Sequence, residues 1–250
     1  MLPGRSFINT VYVIMPSFRF NFEEGEILLF NKPLYWTSFD LVNKVKKEVI
    51  HNYGLKKIKV GHAGTLDPLA TGLLIVCTGR ATKKIEEYRD KNKEYIASIR
   101  LGQTTPSFDL ETGVDKEYPC DHITEEMVRS KLETFLGEQL QEPPLYSAKY
   151  VDGKRAYELA RKNIGKKLEP VKVVFYELEL MESTGKDLKI RIVCSKGTYI
   201  RAFARDLGHA LGSGAHLTGL VRTAIGDKKL SQALSLDEFR FIIEQTKQMS

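Results

Sequence analysis

The sequence predicts a mixed α/β fold of the α+β kind, with one large, mostly antiparallel sheet flanked by helices and loops. Three observations carry this. The run Leu73-Leu-Ile-Val-Cys77 is apolar throughout and reads as a buried strand. Residues 171–181 and 188–194 are two long strand-like stretches joined by a turn at Thr184-Gly185-Lys186, the pattern of an antiparallel hairpin. Leu41, Val42, Val45 and Val49 recur at helical spacing. No internal repeat or low-complexity linker divides the 250 residues, so one mixed body fits better than two clean domains.

The elements follow in order. Residues 27–30 form a short strand ending at Asn31-Lys32-Pro33. Thr37 or Ser38 caps a helix running to about residue 51. Residues 56–60 are a short strand, followed by a Gly-rich loop over 61–72 and the buried strand 73–77, which Gly79 stops. A short helix is expected over 82–88 and a strand over 94–101. Thr124 caps a helix to about residue 135, and Pro143-Pro144 forces an extended loop over 142–146. Residues 156–162 read as helix, as do 200–211. Ser235 and Glu238 form a capping box for a last helix. Residues 1–25 read as an N-terminal extension and 26–250 as a single domain. Met15 is the expected start, because strong patterning begins only near Glu26.

Composition excludes several classes. With 42% hydrophobic and 28% charged residues the chain resembles an ordinary globular protein. No apolar run approaches the ~20 residues of a membrane span, so no membrane partner is expected. Cys77, Cys120 and Cys194 are widely spaced, which argues against a disulfide scaffold and suits the cytoplasm. The formal net charge is +6, and the excess is concentrated. Residues 31–60 and residues 149–172 each carry a net +5. Two such segments suit a polyanionic partner, although solvated faces also carry charge runs.

One stretch carries the candidate chemistry: Gly61-His-Ala-Gly-Thr-Leu-Asp67-Pro-Leu-Ala-Thr-Gly72. Glycines surround a single carboxylate on a loop that feeds a buried strand. Such a loop turns tightly and lets a ligand approach closely, and Asp67 on it is a candidate nucleophile or base. An Asp-Pro pair is also an ordinary turn element, so the loop alone leaves the choice open. Phosphoaspartate chemistry of the haloacid-dehalogenase type needs a second Asp where Leu69 stands. A P-loop needs Gly-Lys-Ser/Thr, and a glycosidase needs a second carboxylate; the motif offers neither. The five histidines show no zinc-site spacing, so no metal is expected.

Residues 61–83 resemble the catalytic motif of the TruB-type pseudouridine synthases. The resemblance extends over about residues 26–240. It includes Asn31-Lys32-Pro33 with the following Thr-Ser, Lys93-Glu-Tyr95 with Leu101-Gly102, and Pro143-Pro144-x-Tyr146-Ser147-Ala148 with Gly153 and Tyr157. It continues through Cys194-Ser-Lys-Gly-Thr-Tyr199-Ile-Arg201 with Asp206-Leu-Gly208, and ends at Leu220-x-Arg222-Thr223. Six ordered motifs are far more specific than one.

The resemblance implies the pseudouridine-synthase catalytic fold. It implies isomerisation of uridine 55 in the T-loop of tRNA, without cofactor or metal. Asp67 would be the nucleophile and Arg201 the cation that keeps it ionised in a closed pocket. Tyr95 would stack on the flipped base, with its hydroxyl a candidate proton acceptor. Tyr199 would close the pocket, Leu220 would contact the uracil, and His62 would press on the displaced nucleotide. Lys32, with Pro33, joins the substrate-contact set as a buttress of the catalytic loop. The basic segments would track T-arm phosphates, and a T-arm substrate is compatible with a monomer. Many relatives carry a C-terminal domain of the PUA type; none is expected here. The loop around Asp109 and Gly113 is expected to order on RNA. Two rivals stand: a non-catalytic tRNA-binding or folding module on the same scaffold, and a metal-free hydrolase using Asp67.

Overall fold

The computed structural model describes residues 20–145, 150–151, 154–155 and 168–248. The first half holds β1 (Ile27–Lys32), α1 (Ser38–Tyr53), β2 (Val60–Ala63), β3 (Ala70–Thr78), a 3-10 helix (Gly79–Lys84), α2 (Ile85–Asp90) and β4 (Lys93–Leu101). Then come β5 (Gln103–Thr104), β6 (Lys116–Glu117), α3 (Glu125–Phe135), β7 (Gly137–Gln141), β8 (Tyr150–Val151) and β9 (Lys154–Arg155). The chain continues with β10 (Val171–Thr184), β11 (Asp187–Cys194), α4 (Ile200–Ala210), β12 (Ala215–Ile225), β13 (Lys228–Lys229), a 3-10 helix (Leu230–Gln232) and α5 (Leu236–Gln248).

Among the described residues, nine strands form one sheet. Its order is β1-β3-β12-β4-β11-β10-β7, with β2 on β3 and β13 on β12. Every pairing is antiparallel except β3 with β12. The mostly antiparallel sheet expected from the sequence is therefore present.

Side-chain patterns explain the layers. Along β4 every second residue is buried, so Tyr95, Ala97, Ile99 and Leu101 share one face. That face packs on α4 through Phe203, Ala204 and Leu207. β3 has no polar side because both its faces are covered. Leu74 and Val76 pack with α1 and α5, while Leu73, Ile75 and Cys77 enter a separate cluster with Ala63 and Ile225. α1 starts at a capping box: Asp40 N donates to Thr37 Oγ1 at 3.0 Å, and Thr37 N donates to Asp40 Oδ2 at 2.9 Å. Such a cap contributes about 1 kcal/mol. α1 buries Leu41, Val42, Val45 and Val49, the four residues picked out by their spacing. Ser235 and Glu238 cap α5 in the same way.

Several boundaries differ from the sequence reading. The strand expected over 56–60 lies at Val60–Ala63, so the Gly-rich loop shrinks to residues 64–69. The helix expected over 82–88 is a 3-10 turn followed by α2. β7 and the central strand β12 were not anticipated. β12 has no clean alternation because its register slips twice, between Leu217 and Gly219 and between Arg222 and Ala224. A bulge resets the period-two pattern and hides the strand. The helix expected over 156–162, the motif residues Tyr146–Ala148, Gly153 and Tyr157, and residues 1–14 lie outside the described residues.

The parallel β3–β12 contact sets the site. It places Gly72 opposite Arg222. Gly72 has φ +103, and a Cβ there would lie 2.3 Å from the Arg222 carbonyl oxygen. Only glycine lets the two backbones approach so closely.

Candidate active site

Residues 64–69 carry Asp67 between β2 and β3, and every carbonyl from Gly64 to Pro68 accepts a hydrogen bond. Ser38, buried at the start of α1, accepts from Leu66 N at 2.9 Å and faces Leu66 O at 3.2 Å through the same hydroxyl. Tyr35 N donates to Pro68 O at 2.8 Å, and Ala70 N donates to Asp67 O at 3.0 Å. The third anchor is Arg222, which is 1% exposed. Its Nη2 donates to Gly64 O at 3.0 Å, its Nη1 to Thr65 O at 3.5 Å and its Nε to Leu73 O at 2.7 Å. A buried guanidinium spends its donors on carbonyls because an unpaired one would be costly.

Asp67 faces a cleft of about 580 Å³. Arg201, at the start of α4, brings Nε to 2.9 Å from Asp67 Oδ2 and 3.6 Å from Asp109 Oδ2. Arg201 is 4% exposed, whereas the Asp67 side chain keeps 43% of its surface open. Protein crowding pushes the Asp67 carboxyl above the usual range; Arg201 pulls it down, and Asp109 and Glu111 push it up. The cation expected beside Asp67 is thus present.

Three other expected residues line the same cleft. Tyr95, 8% exposed, pairs across the sheet with Arg222. Burial raises its phenol, while the Arg222 charge favours the phenolate. Tyr199 is the N-cap residue of α4, and its backbone is clamped by one side chain: Gln141 Oε1 accepts from Tyr199 N at 2.8 Å and Gln141 Nε2 donates to Tyr199 O at 3.1 Å. Leu220 projects from β12 between β3 and β4.

Two expected contacts are placed differently. Lys32 does not line the cleft; this corrects its place in the substrate-contact set. It has 0% exposure, and its Nζ donates to Pro33 O at 2.8 Å and Trp36 O at 2.6 Å. Burial lowers its pKa to about 8, partly offset by Asp67. It braces the turn that carries Tyr35 and Ser38. His62 sits on β2 outside the cleft lining, with its Nδ1 buried and unpartnered among the described residues. Burial, Arg89 and Arg222 lower its pKa.

Sequence reasoning gave no role to three residues that complete the site. Arg222 was visible only as a motif member. Asp109, 5% exposed, shares Arg201 with Asp67; a buried aspartate is rare without a partner, but its partner lies 92 positions away. Its loop is tied down here. Leu217 N donates to Phe108 O at 2.9 Å, and Arg205 lies 4.8 Å over the Phe108 ring. Lys93, 6% exposed, donates to the Arg89 and Lys91 carbonyls that end α2, and burial lowers its pKa to about 8. Among the described residues, Arg89, Lys93, Lys196, Arg201 and Arg222 line the cleft together with Asp67, Glu86 and Asp90, an excess of positive charge. The basic segment 31–60 runs along α1, with Lys47, Lys56, Lys57 and Lys59 exposed. No helix of the described residues is long and apolar enough to cross a membrane.

The chain is similar to known proteins. Residues 51–200 match the model of the TruB family pseudouridylate synthase N-terminal domain. A protein of Phocaeicola vulgatus named tRNA pseudouridine synthase B is 57% identical over 90% of this chain and 96% of its own length. A protein of the same name from Parabacteroides distasonis is 59% identical over 90% of this chain and 96% of its own length. Among solved structures, the archaeal box H/ACA sRNP Nop10–Cbf5 complex aligns with TM-score 0.66 at 25% identity over 91% of this chain; this chain spans 56% of that one. An H/ACA RNP bound to a substrate RNA containing 2′-deoxyuridine aligns with TM-score 0.64 at 26% identity over 90% of this chain and 56% of that one. The family-model match over residues 51–200 and relatives 57% and 59% identical over 90% of this chain make it a member of the TruB family of pseudouridylate synthases.

Proposed function

We propose that this protein converts uridine 55 in the T-loop of tRNA to pseudouridine, with Asp67 as the nucleophile. The observation that carries the reading is the Asp67 carboxylate fixed at a cleft beside Arg201, 2.9 Å away. The names of the relatives at 57% and 59% identity support tRNA as the substrate. The uridine leaves its stack and enters the cleft, because a base inside the loop is out of reach. Tyr95 stacks on it, Tyr199 closes the opposite side and Leu220 contacts the uracil. Asp67 attacks the uridine, the bond from N1 to C1′ breaks, and the uracil turns. C5 then joins C1′, the bond between Asp67 and the nucleotide breaks and its electron pair returns to the carboxylate, the hydrogen on C5 leaves as a proton, and N1 gains one. Tyr95 holds its own proton in the resting state; it passes that proton to the uracil N1, the Arg222 charge stabilises the phenolate, and the phenolate then takes the proton from C5.

Lys32, Ser38 and Arg222 act through the loop and are positioning residues. The excess of cations around the cleft and the exposed Lys47, Lys56, Lys57 and Lys59 on and after α1 would track T-arm phosphates, so binding weakens with salt. We place the protein in the cytoplasm, acting as a monomer. The test uses unmodified tRNA tritiated at uracil C5, with wild type beside Asp67→Asn and the modified position mapped. Release at position 55 by wild type alone supports the reading. Tight salt-dependent tRNA binding with no release would replace it with a non-catalytic tRNA-binding module.

A further inference from the structure

We infer that a second, smaller cavity beside Asp67 is a subsite for another unstacked base of the RNA strand, with Tyr35 as its aromatic platform. This rests on the proposed RNA isomerase reading and extends it to a neighbouring nucleotide. The cavity has a volume of about 240 Å³ and shares Asp67, Arg201 and Leu220 with the larger cleft. A strand that delivers one base to the cleft therefore passes the second cavity. Most of its other wall is apolar, including Leu34, Tyr35, Leu69 and Leu110. Tyr35 is 75% exposed, Leu110 56% and Leu34 43%. A contiguous apolar rim of this kind marks a contact surface rather than scattered surface leucines.

Among the described residues two that are not glycine have a left-handed backbone, Tyr35 and Phe108, and of these Tyr35 lines the cavity. Its φ is +66°, in the left-handed region, where an aromatic residue is an outlier. Such strain persists only where the surroundings fix it, and it concentrates at functional positions. The fixing contact is the bond from Tyr35 N to Pro68 O, one residue beyond Asp67. The backbone of Tyr35 is thus tied to the loop that carries Asp67. Glycine would adopt this backbone freely; the chain instead presents a large planar ring at the mouth. The charged residues of the cavity itself are Asp67, Asp109 and Arg201, which suit an uncharged base, while the adjoining cleft adds Arg89, Lys93, Lys196 and Arg222 for the phosphates of the same strand. Extruding one base from a hairpin loop unstacks its neighbours, and an exposed aromatic ring recovers that stacking for any base.

A synthetic T-arm stem-loop tests this. Its binding is measured intact and with a single abasic site at each position flanking the target uridine. The proteins are wild type, Tyr35→Phe, Tyr35→Gly, and Tyr35→Asn as a second ringless variant that tolerates the left-handed region. Melting curves confirm that each folds. Tyr35→Gly is expected to lose on the order of ten-fold in affinity, and Tyr35→Phe to retain it. One abasic site should cost wild type a similar factor and cost Tyr35→Gly nothing further. Equal abasic penalties in both proteins, or wild-type affinity in the ringless variants, would overturn the subsite. So would a shift from dimer to monomer in Tyr35→Gly without any loss of RNA affinity. Pseudouridine formation by wild type on the intact stem-loop is scored separately. Its absence counts against the isomerase reading, whereas coupling between Tyr35 and an abasic position decides the subsite.

Discussion

The hydroxyl of Ser38 lies 2.9 Å from Leu66 N and 3.2 Å from Leu66 O, so the first turn of α1 fastens the residue preceding Asp67. Both partners are buried. The capping box on Thr37 fixes where α1 begins, and the helix start fixes Ser38. Ser38→Ala leaves the Leu66 amide without a partner, which costs about 1–3 kcal/mol. The expected result is a lower midpoint in urea unfolding and a larger fall in turnover than in RNA affinity.

Asp67→Asn keeps the shape of the side chain and removes its charge and nucleophilicity. Tritium release should drop by several orders of magnitude while tRNA affinity stays close to wild type. Filter binding and the release assay, run on the same preparations, check both halves. Loss of binding alongside activity would mean that Asp67 mainly shapes the cleft.

The pH profile follows from the surroundings of Asp67. Burial holds its carboxyl above the usual range, and in the proposed reaction Asp67 attacks only when ionised. Turnover is therefore present above that raised pKa and is lost as the pH falls through it. Arg201 lowers the value, so Arg201→Gln should move the acid limb of the turnover profile to higher pH. Asp109 raises it, so Asp109→Asn should move the limb the other way. An unmoved limb in both variants would assign the acid titration to another group.

Arg222 donates to three carbonyls around the loop while fully buried. Arg222→Lys cannot reproduce a planar fork that reaches all three. The loss should be on the order of 3 kcal/mol in unfolding free energy, with turnover falling as Asp67 loosens. Thermal melting and single-turnover kinetics measure the two effects. Wild-type stability in the variant would show that the anchors are dispensable.

Lys32 is charged only against the resistance of its buried site, which lowers its pKa from 10.5 to about 8. The unfolded chain binds its proton more tightly than the folded one. Stability contributed through this group therefore rises as the pH increases from about 8 to 10.5. In Lys32→Met that rise is absent, so wild type should gain on the variant across this window. Urea unfolding of both proteins at several alkaline pH values gives the difference; a constant gap would mean that Lys32 is not titrating in the folded state.

The sequence by itself determined the local structure and the chemical outline. Apolar spacing marked α1, unbroken hydrophobicity marked β3, and the Thr184 to Lys186 turn marked the β10–β11 hairpin, because each is written in neighbouring residues. The glycines around Asp67 marked a loop built for close approach, and the ordered motifs pointed to the family. The tertiary structure decided what long-range pairing controls. It set the place of β12, whose register shifts erase its period. It gave Arg222 three carbonyls and Asp109 a share of Arg201, partners far apart along the chain. It turned Lys32 inward, away from the cleft. Burial and charge pairing depend on which distant segments meet, and a local pattern of residue types does not encode that meeting.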